Sequence, residues 1–173
     1  MNTIDLFCGA GGLSLGFERA GYTTVLAIDN WQDALQTISH NIKCDVRDKT
    51  LDNESGEKIK SILGGTKIDG IIGGPPCQGF STVGTLDIND PRNVLYKAFK
   101  SVVVAFEPRF FLIENVANIL KMGDVKRDIV AEFSHLGYNV SEPVVLNAAD
   151  YGIPQNRKRA FFAGVKDGWF NIP

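Results

Sequence analysis

Strand-length apolar segments alternate with stretches of helical period along this chain, and no other feature narrows the choice of fold as much. Thr3 to Phe7, Thr24 to Ile28, Asp69 to Gly73, Arg109 to Ile113, Val144 to Leu146 and Arg159 to Val165 read as strands. Between them, Leu95, Ala98, Phe99, Val102, Val103 and Phe106 recur at helical spacing, and Glu107-Pro108 closes that helix. Weaker stripes run through Leu13, Phe17 and Ala20, through Ala34, Leu35, Ile38 and Ile42, and through Ile129, Phe133 and Leu136, where Gly137 supplies a stop. Alternating β and α elements predict a doubly wound α/β fold with a mostly parallel sheet covered on both faces. The unbroken apolar runs Phe110 to Ile113 and Gly70 to Ile72 suit central strands buried on both sides. Two irregular stretches remain. Asp48 to Gly56 reads as a polar surface connection, and Pro75 to Asn93 as a functional loop.

The 173 residues, 44% of them hydrophobic, predict a single domain, 1–173. A domain of this size buries roughly 70% of its unfolded surface and needs neither disulfide nor structural metal. Eighteen Lys and Arg against twenty Asp and Glu give a net charge of -2, which excludes a generic nucleic-acid coat and makes any phosphate contact local. Cys8, Cys44 and Cys77 are odd in number and lack metal-ligand spacing, so no metal site is expected. With no basic-then-apolar leader and no membrane-length apolar run, the chain is expected in a reducing, intracellular compartment, off the membrane.

Four places carry chemistry. Asp5-Leu6-Phe7-Cys8-Gly9-Ala10-Gly11-Gly12 takes a strand through glycines into a helix starting near Leu13, where the backbone can approach a ligand closely. Ser14 stands where a dinucleotide fingerprint would have its third glycine, so a merely tight turn explains the spacing about as well. Asp29 ends the next strand eighteen residues after Gly11, where a carboxylate can meet ribose hydroxyls; the pair argues for an adenosine-containing cofactor. In Gly73-Gly74-Pro75-Pro76-Cys77-Gln78-Gly79-Phe80-Ser81, two prolines stiffen the backbone before a thiol that lies outside any apolar face. Cys8 and Cys44 fit buried, inert thiols better.

Glu114-Asn115-Val116 ends a buried strand. Alone, Glu114 could be a helix N-terminal group or a solvated edge residue. The glycine turn, Cys77 and Glu114 all follow strands at one sheet edge, however, and ligands of doubly wound sheets bind outside the carboxyl ends of strands near the topological switch. If those strands are neighbours, about 4.8 Å apart, one nucleotide-sized ligand reaches all three. Gln155-Asn156-Arg157-Lys158-Arg159 puts Arg157 and Arg159 on one face of a strand start, as planar donors for a carbonyl or phosphate or simply as a solvated basic edge.

Taken together, these residues resemble the cytosine-C5 DNA methyltransferases, from Asp5 to about Val165. Asp5-x-Phe7-x-Gly9-x-Gly11-Gly12 is similar to the family's cofactor motif, Gly74 to Ser81 to its nucleophile motif, Glu114-Asn115-Val116 to its acid motif, and Gln155-x-Arg157-x-Arg159 to its arginine motif. The resemblance implies a Rossmann-like S-adenosylmethionine-dependent fold acting on double-stranded DNA, with S-adenosylhomocysteine as product. It places Phe7, Gly9, Gly11, Gly12, Leu13 and Pro76 along the cofactor, Asp29 on its ribose, Asn30 or Trp31 beside the adenine and Asp45 near the adenine amino group. It implies Cys77 as nucleophile, Glu114 on ring nitrogen 3, Arg159 at the ring carbonyl, Arg157 as a further catalytic residue of the arginine motif, and Gln78, Ser81 and Arg92 toward DNA. Members of the family continue into a target-recognition domain and a final motif that are not found here. A truncated chain, half of a split enzyme served by a second chain, or a relic would each account for that. An RNA-directed member and a catalytically silent subunit are the alternatives within the resemblance. A nicotinamide-linked oxidoreductase rests on the glycine turn and Asp29 alone.

Overall fold

The computed structural model describes residues 1–76, 94–122, 124–170 and 172. Cys77, Gln78, Ser81 and Arg92 lie outside the described residues. In chain order the elements are β1 (Asn2–Leu6), α1 (Gly12–Arg19), β2 (Thr23–Asp29), α2 (Gln32–Asn41), β3 (Asp45–Asp48), α3 (Ser55–Leu63), β4 (Gly70–Gly73), α4 (Val94–Phe106), β5 (Phe110–Val116), α5 (Val125–His135), β6 (Asn139–Val140), β7 (Val144–Asn147) and β8 (Lys158–Val165). Short 3-10 turns occupy Ala117–Lys121 and Ala148–Tyr151. Among the described residues no helix is long and apolar enough to cross a membrane.

One sheet contains all the described strands, in the order β3-β2-β1-β4-β5-β8-β6, with β7 also paired to β8. The first five are parallel. β8 runs antiparallel to β5 and is met antiparallel by β6 and β7. The sheet is thus doubly wound and mostly parallel, with an antiparallel wing. Both faces are covered: Ile59, Phe99, Phe111 and Phe133 pack in a cluster on one, and Ala27, Leu35, Ile38 and Ile42 form a smaller one on the other. Central strands buried on both sides follow from that, with Ile71, Ile72 and Phe111 fully buried.

Three elements differ from the sequence expectation: the two-residue strand β6, β3 and α3. β3 is a charged edge strand, Asp45-Val46-Arg47-Asp48, whose exposed polar residues show no apolar run but suit a sheet margin that must not pair further. The stretch taken for a surface connection ends in helix α3, where Ile59 is buried and Gly56 approaches α4 so closely that a Cβ there would lie 2.3 Å from the Ser101 carbonyl oxygen. Leu51, in the same stretch, is buried too.

Helix α1 departs from its apolar stripe in an informative way. Its buried residue is Ser14, while Leu13 and Phe17 are half-buried. The reason is Asp5 on β1, fully buried, whose Oδ2 accepts hydrogen bonds from the Ser14 hydroxyl (2.6 Å) and amide (3.2 Å). A polar pair joins strand and helix where a third glycine would otherwise let them approach.

Candidate active site

The chain leaves β1 and β4, neighbours in the sheet, in opposite directions: toward β2 and β3 on one side, toward β5 on the other. This is the topological switch point. The register aligns Leu6 with Ile28, Gly73 with Leu6 and Ile113 with Gly73. One residue beyond that row stand Asp29, Phe7, Gly74 and Glu114. The glycine turn, the segment leading to Cys77 and the acid therefore leave adjacent strands at one level.

Phe7 turns the chain with φ 57°, rare for a residue with a side chain, and Gly9 and Gly11 follow at φ 50° and 89°. A Cβ on Gly11 would lie 2.7 Å from Ile38 Cγ1, so that position admits glycine alone without local rearrangement. Asp29 braces the turn: Oδ2 accepts from the Gly9 amide (2.8 Å), and Oδ1 accepts from the amides of Asn30 (2.8 Å) and Trp31 (3.0 Å).

Two cavities open here. The larger, about 580 Å³, lies between the glycine turn and the antiparallel wing, bounded by Phe7, Gly9, Gly12 and Leu13 on one side and Glu114, Arg157 and Arg159 on the other. The smaller, about 230 Å³, runs past Asp29, Asn30, Leu51, Pro76 and Leu95. Phe7 and Gly74 line both.

Glu114 is the charged centre of the larger cavity. Arg159 Nε lies 2.9 Å from Glu114 Oε1, and Arg157 Nη2 lies 3.7 Å from the same oxygen. Glu114 and Arg159 are diagonal neighbours on the β5–β8 ladder, in which Glu114 pairs with Phe161 and Val116 with Arg159. Gly74 makes room for the carboxylate, since a Cβ there would sit 3.1 Å from Glu114 Oε2. Asn115, buried on the opposite side of the same strand, donates from Nδ2 to the Pro75 carbonyl (3.0 Å).

The remaining thiols contrast with the sequence position of Cys77. Burial, followed by the negative charges of Asp5 and Asp29, pushes the Cys8 thiol far above its usual range. Burial, with Glu18, Asp5 and Asp45 adding, pushes Cys44 up to about 11. Both thiols stay protonated near neutral pH and are poor nucleophiles.

Of the expected cofactor residues, Phe7, Gly9, Gly12, Leu13, Asp29, Asn30 and Pro76 line one or both cavities, and Gly11 shapes the turn between them. Asp45 is not brought there. It pairs with Leu26 at the start of β3, while Asp48 is level with Asp29, and its carboxylate is held by Arg47 at 2.8–2.9 Å. Trp31 is 64% exposed and lines neither cavity. Leu146, Ala148, Tyr151 and Phe161, which the sequence reading did not single out, complete the larger cavity's wall. Phe161 was recoverable, because it follows Arg159 by two on a strand. Tyr151 sits in a 3-10 turn with no periodicity to expose it.

A family model for C-5 cytosine-specific DNA methylases matches residues 1–171, and the chain belongs to that family. It is 48% identical to the Type II methyltransferase M.DdeI of Desulfomicrobium norvegicum over 96% of this chain and 41% of that protein, and 44% identical to M.AgeI of Thalassovita gelatinovora over 97% and 40%. Among solved structures, a DNA modification methyltransferase encoded within an E. coli prophage superimposes with TM-score 0.80 at 40% identity, covering 96% of this chain and 47% of that one. Spodoptera frugiperda DNMT2, at 22% identity and TM-score 0.75, shares the fold. The chain spans a little under half the length of the relatives named first.

Proposed function

We propose that this chain is the catalytic, cofactor-binding portion of a DNA cytosine-C5 methyltransferase of a restriction-modification system, with S-adenosylmethionine as methyl donor. The observation that carries the reading is the convergence, at the switch point, of the glycine turn, the Gly74-Pro75-Pro76 approach to Cys77, and Glu114 with its arginines. The residues suit the cofactor. The glycines of the turn offer backbone without side chains, Asp29 would take the ribose hydroxyls, and Asn30, Leu51, Pro76 and Leu95 bound a cavity beside it. That group supplies an electrophilic methyl.

The chain's own residues activate the base. Carbon 5 of cytosine is a weak nucleophile. The Cys77 thiolate adds to carbon 6, forming the S–C6 bond and moving the ring's electron pair toward carbon 5. Glu114 holds the proton at ring nitrogen 3, and Arg159 donates to the carbonyl at position 2, both countering the charge created by addition. After methyl transfer, a water molecule takes the carbon-5 proton, and the C–H electron pair restores the ring double bond and expels the Cys77 thiolate. The target is stacked inside a duplex, so the base is flipped into the larger cavity. Gln78, Ser81 and Arg92 would meet backbone phosphates of the DNA, as positioning contacts.

The test is covalent capture. The chain joined to the target-recognition segment of its relatives should form a stable adduct with a 5-fluorocytosine duplex when cofactor is present, and Cys77→Ser should abolish it. Methyl transfer by the Cys77→Ser protein would refute the mechanism, and transfer to tRNA in preference to duplex would move the reading to an RNA-directed enzyme.

A further inference from the structure

We infer that Asn115 is a positioning residue that latches the segment entering Cys77 onto β5; the inference rests on the proposed role of Cys77. The last sheet hydrogen bond of that segment is from the Gly74 amide to the Leu6 carbonyl, at 3.3 Å. The next two residues, Pro75 and Pro76, have no N–H, so the chain leaves the sheet with nothing to donate. It can be held only through its carbonyls or by packing, and the Asn115 side chain supplies the donor, Nδ2 to the Pro75 oxygen at 3.0 Å.

The other end of the amide is also engaged. Asn115 Oδ1 accepts from the Val116 amide at 2.7 Å, which fixes which way the group faces. Asn115 is 7% exposed, and a buried amide deprived of partners is costly, so the two bonds hold each other in place. Rigidity carries the effect onward. Proline rings fix φ at Pro75 and Pro76, leaving their ψ angles as the soft rotations between the latched carbonyl and Cys77. Successive residues of a strand face opposite ways, so Glu114 reaches the cavity while Asn115 grips the loop, and one strand end sets both the acid and the approach to the thiol.

Amide hydrogen exchange on the 173-residue chain tests the latch without requiring activity. Asn115→Ala removes both bonds; Asn115→Asp keeps the acceptor for Val116 and removes the donor. Both should accelerate exchange at the Gly74 amide, the donor next to the latched carbonyl, by about tenfold, the equivalent of one lost hydrogen bond, and leave the glycine turn at 7–13 unchanged. Wild-type exchange at Gly74 in both variants overturns the latch. So does a loosening spread equally to the glycine turn, which would make Asn115 a general packing residue. In parallel, adduct formation with the 5-fluorocytosine duplex should slow by about a hundredfold, with cofactor affinity held within about twofold. If the unsubstituted chain forms no adduct, the proposed function is what fails, and the exchange rates still decide the latch.

Discussion

Asp5 and Glu114 are both carboxylates near the same edge of the sheet, on strands separated only by β4, and their surroundings are opposite. Asp5 is sealed beneath the glycine turn, with Ser14 bonded to one oxygen and the other, Oδ1, buried with no partner among the described residues. Burial, reinforced by the negative charge of Asp29 and only partly offset by Ser14, pushes it up to about 7. Glu114 faces a cavity and two guanidinium groups. The difference separates two jobs. The glycine-turn half uses its buried polar groups to hold shape, whereas the end of β5 and the start of β8 turn their charged ones toward a cavity.

The largest expected effect concerns Asp5. Folded chain keeps that proton up to about pH 7, whereas an unfolded carboxyl releases it near 3.8, so folding takes up protons between these values and stability falls as pH rises through the window. The loss above pH 7 is on the order of 4 kcal/mol. Denaturation curves at pH 5 and pH 8 should show it, and Asp5→Asn should flatten the dependence; an unchanged slope in that variant breaks the contrast. On the other side, Arg159→Ala should slow adduct formation by about a hundredfold and Arg157→Ala by about tenfold, following their distances from Glu114. Neither should change the melting temperature as Asp5 substitutions do, and the reverse ranking would sink the geometric argument. Ser14→Ala, which removes one bond to Asp5, should cost about 1–2 kcal/mol in urea titrations and leave the cavity's charges untouched. Arg47→Ala breaks a solvent-exposed pair with Asp45 and should produce no resolvable change in melting.

How far the sequence could be read follows the same division. Strands buried on both faces announce themselves as apolar runs, and Phe110 to Ile113 appears in β5 as expected. That the glycine turn, Cys77 and Glu114 follow strands at one edge needed only the rule that ligands bind at the carboxyl ends around a switch point; the register makes those strands, β1, β4 and β5, neighbours, while Cys77 itself lies outside the described residues. What stayed hidden depends on partners distant in sequence. β3 is charged because it lies at an edge, α3 offers only Ile59, Ile62 and Leu63 as a stripe, and Leu51 is buried by neighbours that the local polarity does not reveal. Ser14 looked like a departure from a glycine pattern and proves to be half of a buried pair whose other half is nine residues earlier. Asn115 sat inside a recognised motif, but its bond to Pro75 spans forty residues.

Phe7 has one ring and two rooms. It lines both cavities, and its backbone is already in a conformation that costs about 1–3 kcal/mol and leaves little freedom to yield. An occupant of either cavity that shifted the ring would change the wall the other occupant meets, and any coupling that arose in this way would act by the same factor in each direction. Measuring cofactor affinity with and without a bound base analogue, in the native chain and in Phe7→Ala, would give the size of that reciprocity and show whether this ring carries it.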